Sequence, residues 1–206
     1  MRRLEEKDIE EAAEALKDGK TVIFPTETVY GVGVVYDDEK AYKRLVDLKK
    51  RPPSKPIALM CSSVDEAERF LDADERAVKT MRRFLPGELT FLLKAKGGLP
   101  YWVTLGTGVI GIRVPASDYV RSLIKKVGKP CLVTSANASG EKTSRTYEEA
   151  LGYFEGNPLA DAIVRGECSS LLPSTIIDLS HEGDIKLIRQ GSVSFDDVRA
   201  YWEGLE

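Results

Sequence analysis

The sequence predicts an α/β fold, one sheet of mixed strand direction flanked by helices. Three observations carry that expectation. Short apolar runs bounded by turn residues are interleaved with amphipathic stretches that bring their own helix caps. The interleaving is irregular, so repeated βαβ units and an all-parallel sheet do not follow. The chain has 206 residues, 42% of them hydrophobic and 31% charged, enough to bury one sizeable core. No repeat, low-complexity tract or linker interrupts it, so a single domain over residues 1–206 is expected.

Each element has a local reason. Asp8, with Glu11 three residues on, reads as a capping box opening a helix that Gly19 stops. Thr21–Phe24 and Val29–Val35 read as strands around a Pro-Thr-Glu-Thr break. A helix over Glu39–Lys49 turns Tyr42, Leu45, Val46 and Leu48 inward and cannot pass Pro52 and Pro53. Ile57–Cys61 is a short strand. Ser63 with Glu66 caps a helix to about Leu71, and another spans Asp74 to Leu85 before Pro86-Gly87. Leu89–Ala95 and Val109–Val114 are strands. Ser117–Val127 is a helix with Gly128 as its stop, and Cys131–Ser135 is a buried strand. Thr146 with Glu149 caps a helix to Phe154. Ala162–Val164, Thr175–Leu179 and Ile185–Arg189 are strands, and Ser194 opens a last helix ending near Trp202.

Composition excludes several classes. Thirty Lys and Arg against thirty-three Asp and Glu give a net charge of −3, which argues against a general nucleic-acid binder. Any anion must be held by a local cluster. Cys61, Cys131 and Cys168 are odd in number and lack CxxC spacing, so neither a disulfide framework nor a zinc site is expected. The one histidine, His181, sits in a polar turn. The N-terminal stretch has no apolar segment of signal type, and no run could span a membrane. A soluble, cytoplasmic protein without membrane partners is the expectation.

Two motifs mislead. Gly106-Thr-Gly108-Val-Ile-Gly111 spells GxGxxG but runs into a strand, whereas a dinucleotide fingerprint opens a helix. Gly140-Glu-Lys-Thr lacks the spacing of a P-loop. There is no Gly-x-Ser-x-Gly elbow, no announced carboxylate pair and no metal-ligand cluster. Chemistry is left to fixed cations, hydroxyls and backbone N–H groups acting on an anionic reaction. Such residues gather where strands end: Pro25–Gly31, Arg113–Pro115, Thr134–Gly140, Pro173–Thr175 and Arg189–Gly191. The proline-rich stretch Leu48–Leu59 adds four cations. Each loop alone could be an ordinary turn; together they suggest a shared anion site.

These pieces, in this order, resemble the YrdC/Sua5 family, the threonylcarbamoyl-AMP synthases of tRNA modification. The matching segments are Phe24–Gly33, Lys49–Pro52 with Lys55-Pro56, Pro86–Thr90, Arg113–Pro115, Thr134–Gly140, Pro173–Asp178 and Ile188–Gly191. The resemblance implies a twisted, open mixed sheet flanked by helices, with a large cationic cavity on one side. It implies that L-threonine, bicarbonate or CO2, and ATP become threonylcarbamoyl-AMP and pyrophosphate. The product would serve N6-threonylcarbamoylation of adenosine 37 in tRNA through a partner transferase complex.

By the same resemblance, Lys49 and Arg51 are the catalytic cations on the ATP phosphates, with Lys55 beside them. Asn137, Ser139 and Arg189 join the nucleotide side. Thr26, Thr28, Tyr30, Arg113, Ser135 and Ser174 form the threonine side, Arg113 taking the carboxylate and Tyr30 acting as a wall. A threonine carbamate would attack the ATP α-phosphorus, and Mg2+ would arrive with ATP. Lys49 and Arg51 are expected to face solvent-filled space, so alanine at either should stop turnover and spare folding. Departures are Glu88 where relatives have proline, and no histidine in Ile57–Cys61. The chain stops at Glu206, so the short, single-domain form with a more open cavity is expected. An RNA-binding or ribosome-maturation module, with weak RNA contact, and a paralogue with another substrate are the rival readings.

Overall fold

Short strands, up to six residues long, pair into one sheet, and side-chain alternation sets what lies on each face. The computed structural model describes residues 1–52, 54–170 and 172–205. In chain order the elements are β1 (Arg2–Glu5), α1 (Ile9–Lys17), β2 (Val22–Phe24), β3 (Gly31–Val35), α2 (Glu39–Lys49), β4 (Ala58–Met60) and α3 (Val64–Glu68). There follow α4 (Glu75–Phe84), β5 (Leu89–Lys94), α5 (Tyr101–Thr104), β6 (Val109–Arg113), α6 (Asp118–Val127) and β7 (Cys131–Ser135). The last are α7 (Tyr147–Phe154), β8 (Ala162–Arg165), β9 (Thr175–Asp178), β10 (Lys186–Arg189) and α8 (Phe195–Glu203).

The strand order is β1-β8-β2-β3-β7-β4-β6-β5-β9-β10. Pairs β1/β8, β2/β8, β4/β6 and β5/β9 are parallel; the other neighbours are antiparallel. The mixed sheet expected from the irregular interleaving is present.

The two faces bury different partners. Val32, Val34, Leu59, Phe91, Ile112 and Leu132 join a core with Leu45 of α2, Met81 of α4, Phe154 of α7 and Trp202 of α8. On the opposite face Val22, Phe24, Cys131 and Val133 pack with Leu16 of α1 and Leu123 and Ile124 of α6. Each such side chain contributes about 1.5–3 kcal/mol. Farther along this second face, Ala58, Leu92, Gly111 and Ile176 line a cavity instead. Their immediate neighbours along the strands, Leu59, Phe91, Ile110, Ile112 and Ile177, alternate to the other face and are in the first core.

Most helix starts follow the sequence. Ser63, Asp74, Ser117, Thr146 and Ser194 each accept a backbone N–H at an N-cap. Glu66 and Glu149 do not close boxes on their caps. They reach one residue farther back, to the N–H of Ser62 and of Arg145, both at 2.7 Å. Asp8 corrects the reading at the first helix: its carboxylate accepts Glu5 N–H at 2.9 Å and caps a preceding 3-10 turn over Glu6–Asp8. Strand β1 and the short α5 are additions to the elements expected from the sequence. The Arg-Arg-Leu-Glu of β1 buries only Leu4, so it shows no apolar alternation. α2 ends with Lys50 in the left-handed region at φ 49°, which turns the chain toward Pro52. Pro53, expected to share in ending α2, lies outside the described residues.

Candidate active site

The cavity, of about 360 Å3, opens where the second sheet face runs on past α1 and α6. Its floor comes from β4, β5, β6 and β9, and its walls from the loops after β2, α2, β7 and before β9. Arg51, Arg113 and Arg189 all line it, as do Thr26, Tyr30, Thr90, Thr134, Ser135, Thr143 and Ser174. Three guanidinium groups around one space make an anion-receiving site.

The loop after α2 supplies Arg51. Its Nε donates to Lys55 O at 3.0 Å and its Nη2 to Pro56 O at 2.7 Å, so the arginine closes its own loop. Nη1 reaches Thr134 Oγ1 at 3.5 Å. Burial lowers its pKa. Lys55 is exposed and outside the cavity lining.

Lys49 corrects the expectation that it faces solvent-filled space. It is 1% exposed and does not line the cavity. Its Nζ donates to Ser135 O and, at 3.3 Å, to Asn137 Oδ1. Its backbone carbonyl accepts Ser139 N–H at 3.1 Å. Asn137 spends its amide on Ala138 O at 2.9 Å and Glu141 O at 2.8 Å. Lys49, Asn137 and Ser139 therefore form a clamp behind the wall that Ser135 presents. Burial, then the nearby Arg51 charge, pulls the Lys49 pKa down to about 7.

The Pro-Thr-Glu-Thr turn is tied from within. Thr26 Oγ1 donates to Val29 O at 2.7 Å, accepts Thr28 N–H at 3.1 Å and meets Thr28 Oγ1 at 2.9 Å. Arg113 Nη2 donates to Thr28 Oγ1 and to Glu27 Oε1, both at 2.7 Å. Glu27, between the two threonines, is not among the site residues expected from the sequence. Tyr30 is buried; its hydroxyl donates to Gly166 O at 2.7 Å and accepts Gly166 N–H at 3.0 Å. Burial raises its pKa. Gly31 is required by close packing, since a Cβ there would meet Val133 Cγ1 at 2.9 Å.

On the far wall Ser174 Oγ meets Thr90 Oγ1 at 3.0 Å. Arg189 lies on the exposed strand β10, after a register shift between Leu187 and Arg189. Such shifts re-aim side chains. Its guanidinium turns inward to Ser174 O, with Nη2 at 2.7 Å and Nε at 3.1 Å. Burial, then the Arg113 charge, lowers its pKa.

Of the residues named from the sequence, Arg51, Arg113, Arg189, Thr26, Tyr30, Ser135 and Ser174 line one space. Thr28, Lys49, Asn137 and Ser139 stand behind it, and Lys55 outside. Thr90 and Thr134, which stand at the ends of matched segments but carry no role from the sequence, join the lining with Thr143.

A mixed α/β sheet with a cavity sunk in one face and lined by three arginines defines the class of fold and site. The Sua5/YciO/YrdC family model, described as telomere recombination, matches residues 14–191. A Pyrococcus abyssi protein named threonylcarbamoyl-AMP synthase is 33% identical over 197 residues, 95% of this chain and 57% of its own length. An Enterobacter protein of the same name is 34% identical over 175 residues, 82% of this chain and 90% of its own. The crystal structure of P. abyssi Sua5 complexed with L-threonine superposes with a TM-score of 0.89 at 31% identity, covering 97% of this chain and 60% of that one. The chain belongs to the Sua5/YciO/YrdC family. It spans little more than half the length of the P. abyssi relative.

Proposed function

We propose that this chain, acting as one domain, makes L-threonylcarbamoyl-AMP from L-threonine, bicarbonate or CO2, and ATP, releasing pyrophosphate. The observation that carries the reading is the convergence of Arg51, Arg113 and Arg189 on one cavity, in a chain 34% identical to a relative of that name over nearly the relative's whole length. Arg113, beside the hydroxyls of Thr26 and Thr28, suits a carboxylate, and so marks the threonine side with Tyr30 and Ser174. Arg51 suits phosphate oxygens, and Arg189 joins the nucleotide side. The Lys49 clamp sets the 137–141 loop, with Asn137 and Ser139, against that side and holds Ser135 toward threonine.

In this mechanism the neutral threonine amine takes up CO2 as a carbamate, releasing a proton. A carbamate oxygen then attacks the α-phosphorus, and the bond to pyrophosphate breaks. Positioning the reactants supplies much of the rate. The guanidinium groups offset charge on the phosphates as it shifts to the leaving group. The described residues hold no group of three or more His, Cys, Asp or Glu that could bind a metal. In this reading Mg2+ arrives on the ATP phosphates, as part of that substrate. Among the described residues no helix is long and apolar enough to cross a membrane. The product would pass to a tRNA threonylcarbamoyl-transferase in the cytoplasm. Pyrophosphate release from ATP tests the reading: it should require both L-threonine and bicarbonate. Release independent of L-threonine, or none from folded protein that binds ATP, would refute it.

A further inference from the structure

Glu27 and Arg113 form a buried pair, 7% and 9% exposed, that is only half made. Glu27 Oε1 accepts Arg113 Nη2–H at 2.7 Å. Glu27 Oε2 and Arg113 Nε are both buried without a hydrogen-bond partner. The remaining Nη2 hydrogen goes to Thr28 Oγ1 at 2.7 Å. Both hydrogens of Nη2 are therefore engaged inside the protein. Nη1 is neither hydrogen-bonded nor buried without a partner among the described residues, so it is the end that Arg113 shows to the cavity it lines. Glu27 itself does not line the cavity.

We propose that Glu27 is the positioning residue of the carboxylate site. It grips the inner edge of the Arg113 guanidinium and leaves Nη1 as the donor for the carboxylate of an α-amino acid. A guanidinium is planar, so fixing Nη2 at two points fixes the direction of Nη1. The unpartnered Nε and Oε2 lie on the same two side chains, the donor and acceptor types that a side-on fork would use for its second bond. Main-chain bonds hold Glu27 in place, since its carbonyl accepts Ser170 N–H at 2.8 Å and Ser169 Oγ–H at 3.0 Å.

This inference rests on the reading of Arg113 as the carboxylate receptor, and the test separates the two. L-threonine and ATP binding are measured by calorimetry on wild type, E27D and E27Q, with melting temperatures as the fold control. E27D keeps the charge but withdraws the anchor by one methylene. E27Q loses the charge but keeps an oxygen at Oε1. Positioning predicts that E27D weakens L-threonine binding at least about tenfold, the size of a lost charged hydrogen bond. E27Q should keep the larger part of the affinity, and ATP binding should change less than about twofold in either variant. The reverse order, with E27Q weak and E27D near wild type, would make Glu27 a charge balancer and overturn the proposal. Unchanged L-threonine affinity in both variants, or equal loss of both ligands with a lower melting temperature, would also overturn it. A wild type that binds ATP but no L-threonine would overturn the underlying reading of the site.

Discussion

Replacing Lys49 by methionine should flatten the pH dependence of stability on the alkaline side of neutrality. Lys49 is 1% exposed, and burial lowers its pKa from 10.5 to about 7. In the unfolded chain the same lysine titrates near 10.4. The unfolded state therefore binds the proton more readily, and protonation favours unfolding. The penalty is complete below about pH 7 and disappears as the pH climbs past the unfolded value. A difference of about 3.5 in pKa corresponds to roughly 4–5 kcal/mol in all. Between about pH 7.5 and about pH 9.5 this one group should return roughly 2–3 kcal/mol to the wild type. Methionine has no proton to release, so the variant lacks that rise. Removing Nζ also leaves Ser135 O and Asn137 Oδ1 short of a donor, at about 1–3 kcal/mol for a buried acceptor. With two such acceptors the loss is of the same size as the relieved penalty, so the net change near neutral pH is small, and the slope difference is untouched by that offset. Urea unfolding followed by the fluorescence of Trp102 and Trp202 at the two pH values measures it. Equal gains in wild type and Lys49→Met would refute the desolvated ammonium.

Other sites give independent tests. Arg51→Ala removes both bonds to the carbonyls of Lys55 and Pro56; amide exchange at Lys55 and Ile57 should quicken, and ATP affinity should fall at least about tenfold. Thr26→Val deletes an oxygen that bonds to Thr28 and Val29 within one turn, and should cost about 2 kcal/mol in a denaturant titration. Gly191→Ala places a Cβ 2.1 Å from Pro173 O and 2.5 Å from Thr175 N. Both are backbone atoms, so the segment must shift. Stability should drop by roughly 1–3 kcal/mol, and the displaced Ser174 should show as weaker L-threonine binding in calorimetry.

What could be read in the chain follows the range of the interaction. Caps such as Ser63, Asp74 and Thr146 bond three residues away, and a local sequence window contains the whole event. The strands Val109–Arg113 and Cys131–Ser135 announce themselves because their inner faces are apolar and buried. Glu27 could not be found this way. Its partner is 86 residues distant, and nothing between the two threonines hints at it. Lys49 does carry a local signal. Ala41, Leu45 and Lys49 fall on one buried stripe of α2 at four-residue spacing, so the lysine belongs to the inner face despite its charge. β1 is hidden because an edge strand with charged side chains carries no alternation to read.

The cavity floor belongs to the sheet, and that has a consequence for the thermodynamics of ligand capture. Ala58, Leu92, Gly111 and Ile176 sit on strands held by main-chain ladders on both sides. Their positions are settled during folding, so a ligand arriving later meets a surface whose entropy has already been lost. Any further ordering on binding falls to the rim, where Arg51, Pro56 and Thr143 stand on loops. Affinity can then be tuned at the rim without disturbing depth. Depth in turn is set by side-chain size on the strands: a Cβ at Gly111 would lie 3.4 Å from Leu92 Cδ2 and 3.5 Å from Ala58. One methyl group there would make the floor shallower while leaving every loop residue in place.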